Sequence, residues 1–468
     1  MISDENSPGH PEKPTAVEDM ESGAALGGWE RLSAFSGRLA ELLFAVLIIL
    51  MLTTPSWRGG TFTWLPLAKL SDLGGVPASL GILTLLPFAI AAAWAVDLFA
   101  RWRSGVELNW TWGRFGVTVP LLVFTFLGLV SLWQASPRNV FIQLGGLLIF
   151  WALYLFVLNQ RPNVVWPLVI VVLVQAASAL GQFATRSDLG LLKLGEFVLD
   201  PEQPGIVVLF ARGQRWLRAY GLTSHPNLLG AMLAAVLLLL LPTLKRSRGR
   251  ARVVLVFVFA AGVLGLLASF SRAAILGFIA GLVTWLFLEA RQGSTPWSLA
   301  RLKKTLRSPW LWLGIAGAVV VLVLFGDLAF SRLLGLDSNV ESISLIQRFF
   351  DWRLALTLIV EQPIRGVGLG QYIIAAQRLS PFAVTVHNVP LLVTAELGIG
   401  GFLALLWLTI SGLRSRPAGL GPWIAVLVIG FFDVTLWLTG NWQTAVLFSL
   451  IAANLSQKII GRTMLKPR

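Results

Sequence analysis

Three short segments place side chains able to do chemistry directly before a long apolar run: R-A-Y-G-L-T-S-H-P-N (218–227), S-F-S-R (269–272) and V-H-N-V-P (386–390). Each therefore stands at a helix start, where the first backbone N–H groups are unpaired and the helix carries partial positive charge. Pro226 and Pro390 suit a first helical turn, where a missing N–H costs nothing. An Arg there, as Arg272 is, repels the helix end unless an anion sits between them and is bound by both. The other reading is an Arg whose head reaches the lipid headgroups. Arg218 leads straight into a helix start, whereas Arg212 and Arg215 beside it suit a basic patch facing anionic lipid. A helix end disfavours imidazolium, so His387 is expected neutral and able to accept a proton; a capping or interfacial His is the alternative. His225 is expected to be structural, packed in the turn before Pro226.

Further candidates lie downstream. In P-I-R-G-V-G-L-G-Q-Y (363–372), Arg365 sits beside three glycines that either bring backbone N–H groups to a phosphate or make a plain turn. Residues 340–361 combine an apolar stripe with Arg348, Asp351 and Arg353, the pattern of an amphipathic helix lying at a membrane face, with Arg348 and Trp352 on one side of it. Glu396 follows His387 by nine residues, which on a helix is about half a turn out of phase and roughly 13 Å deeper, so the two are no obvious dyad. Glu396 and Asp433 are expected to pair with buried Arg or with each other, although an intramembrane acid is a functional candidate by default. There is no HExxH and no Walker loop, acid-x-acid spacing occurs only at Asp19/Glu21 and Asp200/Glu202, and the absence of Cys excludes disulfides, thiolate catalysis and Cys-based metal sites. No metal and no cofactor are expected.

The elements that must position these residues follow from composition. Of 468 residues 56% are hydrophobic and only 13% charged, too little charge for a water-facing surface, which excludes a soluble enzyme, a coiled coil and a disordered chain. What remains is an all-α integral membrane protein. Residues 1–37, with seven acidic residues against Lys13 and Arg31, read as a disordered acidic cytoplasmic tail. About 20 apolar residues span a bilayer, and twelve stretches qualify: 38–54, 76–100, 115–134, 140–159, 164–185, 226–244, 253–270, 272–290, 308–326, 388–412, 420–437 and 441–457. They divide into a five-helix part (38–185), an outer loop (186–225), helices six to nine (226–326), a large outer loop with the interfacial helix (327–387), helices ten to twelve (388–457) and a basic tail (458–468). Lys and Arg in the short loops put both termini in the cytoplasm. The net charge of +14 is thereby mostly topological, and no nucleic-acid partner is implied.

At these motifs the sequence resembles the O-antigen ligase and polymerase superfamily of bacterial membrane glycosyltransferases. The resemblance runs from about Arg218 to Gly401 and rests on R-A-Y-G-L-T-S-H-P-N-L-L-G (218–230), S-F-S-R-A-A-I-L-G (269–277), P-I-R-G-V-G-L-G-Q-Y (363–372) and H-N-V-P-L-L-V-T-A-E-L-G-I-G-G (387–401). His387, Asn388, Gly398 and Gly401 fit the ligase pattern of His, then Asn, Ser or Gln, nine residues, Gly, two residues, and Gly or Thr. The resemblance implies a GT-C-like helical transferase in the inner membrane, with its site facing the periplasm and a glycan on undecaprenyl pyrophosphate as donor. His387 would deprotonate the acceptor hydroxyl, and Arg218 and Arg272 would hold the pyrophosphate in place of a metal, with Arg348 and Arg365 as further members. Asn388, Tyr220 and Glu396 would support them, and the anomeric carbon would invert.

The acceptor distinguishes the readings. A ligase uses lipid A-core, a polymerase a second lipid-linked repeat, and a third relative a protein. A transporter of charged lipid or solute, the reading from another class, predicts inverted repeats and charges near the bilayer midplane; the repeats are missing and most charges lie outside the apolar spans.

Overall fold

Apolar runs of this length fold as helices because hydrocarbon offers no partner to an unpaired backbone N–H or C=O. The computed structural model describes residues 27–53, 63–66, 79–132, 137–191, 194, 196–211, 214–292, 338–414, 417–436 and 442–456. Its helices are α1 (Gly28–Thr53), α2 (Ile82–Arg103), α3 (Phe115–Ser131), α4 (Pro137–Gln160), α5 (Val165–Thr185), α6 (Pro226–Arg246), α7 (Gly249–Ala268), α8 (Arg272–Gln292), α9 (Ser338–Glu361), α10 (Tyr372–Leu379), α11 (Val389–Leu413), α12 (Pro417–Phe432) and α13 (Trp442–Ser456). Eight of them, α1, α2, α4–α8 and α11, are long and apolar enough to cross a membrane, while α3, α12 and α13 are apolar but shorter. The predicted span at 308–326 and the start of the large loop lie outside the described residues. Two small antiparallel pairs, unforeseen from the sequence, join the helices: β1 (Thr63–Pro66) with β2 (Ser79–Gly81), and β3 (Val208–Ala211) with β4 (Gln214–Leu217).

Helix α1 begins at Gly28 rather than at 38, ten residues inside the stretch expected to be tail. The polar residues that broke the apolar period there have partners on the bundle. Ser33 donates to the buried Asp97 carboxylate at 2.7 Å, and Gly37 lies against Asp97 and Gln160. Asp97 also accepts from Arg101 and Gln160, so its charge is fully met.

The adjoining spans around residue 271 are two helices, separated by Ser269–Ser271 with Phe270 in the left-handed region (φ 48°). That turn rests on α6, the most enclosed helix, whose residues are buried continuously from Leu228 to Thr243. Close approach depends on Gly230, where a Cβ would come within 2.7 Å of Ser269 Oγ and 2.9 Å of Ala274 Cβ. Helix α8 packs on α12 through another bare contact, Gly281 facing the Gly421 carbonyl. The starts of α6 and α8 are thereby brought to one end of the bundle.

Helix α11 is broken at Gly398 (φ 67°, ψ −164°). Its opened backbone is met by the glycine-rich turn 363–370: Val367 N–H donates to Ala395 O (2.8 Å), Gly368 N–H to Glu396 O (2.9 Å), and Ile399 N–H to Pro363 O (2.8 Å). A side chain on Gly398 would collide with the Ile364 carbonyl, and one on Gly366 with the Glu396 carbonyl. We expect Gly398→Ala to lower stability by at least about 1–3 kcal/mol from backbone strain alone. Thermal unfolding of the detergent-solubilised protein checks this; an unchanged midpoint would contradict the account.

Candidate active site

Arg218 is the centre of the construction. Only 3% of it is exposed, and a buried guanidinium is tolerated only when its donors are met. Its Nε donates to the Ser269 carbonyl at 2.9 Å, and its Nη2 to Asn227 Oδ1 at 2.7 Å. Asn227 in turn donates through Nδ2 to Asp433 Oδ2 at 2.7 Å. One side chain thus ties the turn before α6, the end of α7 and the residue after α12.

The turn itself is held from α5. Gln182 accepts from the N–H groups of Tyr220 (3.0 Å) and Gly221 (2.8 Å) and donates to Gly221 O and Glu196. Gln175 accepts from Leu222 N–H at 2.8 Å. Tyr220 is buried against Phe197, Leu199 and Leu217, and its hydroxyl accepts from Val207 N–H, so it supports the turn. Burial pushes its phenol above the ordinary value. His225 caps α6, with Nδ1 accepting from Asn227 N–H at 3.1 Å and Pro226 following in the first turn. The expectation of a structural His225 agrees with this geometry.

Arg272 is the first residue of α8 and is half-buried. The Ser271 carbonyl accepts from Ile275 N–H, and Ser271 Oγ lies 3.4 Å from Ala274 N. Since Ser269 also receives Arg218, the two arginines share one turn. His387 immediately precedes Asn388, the N-cap of α11. Asn388 Oδ1 accepts from Leu391 N–H at 2.9 Å while its Nδ2 donates to Phe431 O at 2.9 Å. Asn388 therefore clamps the start of α11 to the end of α12, two residues from Asp433. His225 lies within electrostatic reach of Arg218, Asp433 and His387.

The remaining candidates sit on other elements. Arg348 is half-buried on α9, and Arg365 is exposed beside the glycine-rich turn. That turn's N–H groups are engaged within the protein: those of Val367 and Gly368 on the α11 break and that of Leu369 on Ser131 Oγ. The Glu396 carboxylate faces the N–H groups of Gly370 and Tyr372, at the start of α10. Glu396 and Asp433 thus have backbone and amide partners, where Arg or each other had been expected. Arg212 and the far end of its hairpin turn lie outside the described residues.

Sequence reasoning gave no part in the site to Asn227, Gln182 or Asp351, the last noted only as a charge on the interfacial helix. Asn227 stood inside a quoted motif, but its partner Asp433 is 206 residues away. Gln182 in an apolar helix was the available signal, since a buried amide in a span must have partners. Asp351 is fully buried on α9, with Gln347 donating to Oδ1 at 3.0 Å, and burial raises its carboxyl above the ordinary range. Among the described residues no group of three His, Cys, Asp or Glu is arranged to hold a metal ion.

Helices with broken or capped ends gathered around a buried guanidinium define a polytopic helical membrane protein with a polar site at one end of its bundle. Residues 255–406, about a third of the chain, match the family model described as O-Antigen ligase. The match bears out the resemblance read from the motifs: over this third of the chain the sequence is similar to the O-antigen ligase family. It takes in Arg272, Arg348, Arg365 and His387, with Arg218 outside it. No curated protein matches the chain.

Burial, with Arg218 nearby, lowers His225 from 6.5 to about 4. A folded-state value below the unfolded one gives stability that is complete above pH 6.5 and is lost as pH falls toward 4. His225→Asn keeps a capping side chain and should remove that part of the pH dependence of unfolding. An identical acid profile in the variant would contradict a neutral buried His225.

Proposed function

We propose that the protein is an O-antigen ligase-type glycosyltransferase, moving a glycan from undecaprenyl pyrophosphate to a sugar hydroxyl of lipid A-core. The site end of the bundle faces the periplasm of a bacterial inner membrane and both termini are cytoplasmic, an orientation supported by the excess of Lys and Arg in the opposite short loops. The acceptor hydroxyl gives its proton to His387 as its oxygen attacks the anomeric carbon from the face opposite the pyrophosphate. The bond from that carbon to the pyrophosphate oxygen breaks, its electron pair leaves with the pyrophosphate, and the configuration inverts. Negative charge grows on the leaving group, and Arg218, Arg272 and the α8 N-terminus stabilise it without a divalent metal. Arg348 and Arg365 are the outer members of this anion site. Asn388 and Tyr220 keep the base and the arginine turn in place, and Glu396 does the same for the segment beside them.

The observation that carries the reading is the Arg218–Ser269 hydrogen bond. It joins the arginine turn to the Arg272 helix start, within electrostatic range of His225 and, through it, His387. A polymerase would use the same donor groups, so the acceptor decides. Purified protein given lipid-linked glycan together with lipid A-core should yield ligated lipid A-core. Elongation of a second lipid-linked unit alone would make it a polymerase.

Two substitutions and one chelation test the chemistry. His387→Ala should reduce transfer by about 10²–10⁴-fold, the range for a lost general base. Arg272→Ala should weaken donor binding by roughly 10–100-fold, as expected for charge-assisted hydrogen bonds. Activity should survive excess EDTA, and strict dependence on added metal would contradict the arginine account.

A further inference from the structure

Two buried polar atoms near the mouth of α11 have no hydrogen-bond partner: Asp351 Oδ2 and His387 Nδ1. They belong to elements that pack together, since α9 lies against α11, and the two side chains are within electrostatic reach of each other. The Asp351 carboxylate is held from the sides without being used up. Gln347 donates to Oδ1, the Val384 N–H faces the carboxylate as a backbone partner, and the Tyr372 hydroxyl fixes the Asp351 backbone carbonyl at 3.2 Å. His387 is half-buried, and its Nδ1 is shielded from solvent.

Buried orphan atoms are rare in native proteins and call for a reason. A charged acceptor and a ring nitrogen able to carry a proton are complementary orphans. We propose that Asp351 is the positioning residue of His387: it accepts the Nδ1–H, fixes the tautomer with a lone pair on Nε2, and stabilises the imidazolium. The inference rests on the reading of His387 as the base. In the reaction the acceptor hydroxyl proton passes to Nε2, the Nδ1 proton stays on the ring, and Asp351 remains ionised. Hydrogen bonds of this kind are often long in a ligand-free site and tighten when substrates bind. Helix α9 thereby has a reason to bury an acid on its inner face.

The pH dependence of transfer tests this, because a merely structural Asp351 would not move it. The other titratable and charged groups here are His225, which lies within electrostatic reach of His387, Arg218 and Asp433, and Tyr372 on the Asp351 side with Glu396 beside it. His225 titrates near 4, below the assayed range, and Glu396→Gln, expected to leave the acid limb in place, separates Glu396 from the Asp351–His387 pair. For purified protein with a lipid-linked glycan donor, assayed over about pH 5 to 9, Asp351→Asn should lower kcat by roughly 10²–10⁴-fold. KM for the donor should stay within about threefold, and the acid limb should move to lower pH as the imidazolium loses its carboxylate. Asp351→Glu should restore part of kcat and return the limb toward its wild-type position. A wild-type rate and limb in Asp351→Asn would overturn the inference, and so would a rate loss matched by lost donor affinity with the limb unmoved. If His387→Ala instead kept full activity, the base reading itself would fall, whatever Asp351 does.

Discussion

A guanidinium cannot be left unpaired inside an apolar bundle. Transferring an isolated charge out of water costs far more than a folded protein's whole margin of stability. Arg218 is almost wholly buried, and its hydrogen bonds to Ser269 and Asn227, with Asp433 behind Asn227, are what make that position tenable. The requirement sets where the other elements go. The end of α7 must present a carbonyl, α6 must begin beside it, and α12 must end with its acid in reach. Gly230 is bare for the same reason, since any side chain there would push the Ser269 turn away from α6.

The second organising feature is the broken helix α11. Its upper part carries His387 and Asn388 and is clamped to the end of α12. Below it, the break at Gly398 is filled by the glycine-rich turn, and the Glu396 carboxylate sits under the start of α10. The segment that returns from α9 is therefore stitched to α11 by backbone hydrogen bonds rather than by side-chain packing alone. Such bonds fix register more tightly than apolar contacts do, and a base and an anion site on separate elements need that fixed register. The same stitching brings Asp351 to the His387 side.

Much of this was legible before the structure because the signals are local. Pro226 and Pro390 mark helix starts, Ser269–Arg272 interrupts an apolar run, and both features appear where expected. The role of Gly398 was half-legible: a Gly in the middle of a span suggests close packing, but the break and its filling by residues 363–370 depend on a loop distant in sequence. The glycines of that loop were open to a phosphate-binding reading because any glycine-rich turn can expose N–H groups, and only their partners decide. What could not be read were the long-range polar pairings, Asn227 with Asp433, Asn388 with Phe431, and Gln182 with the arginine turn. No period or spacing encodes such pairs. The early start of α1 was missed for a related reason: Ser33 and Gly37 look like tail until Asp97 is seen opposite them.

The end of the bundle carrying Arg218, Arg272 and His387 is proposed to hold a pyrophosphate. This is tested most directly by an experimental structure of the protein in lipid nanodiscs with undecaprenyl pyrophosphate bound. Density for the two phosphates is expected against Arg218 and Arg272 at the start of α8, with His387 facing the carbon-bearing side. Pyrophosphate density at the opposite end of the bundle, or an empty α8 start in a ligand-saturated sample, would contradict it.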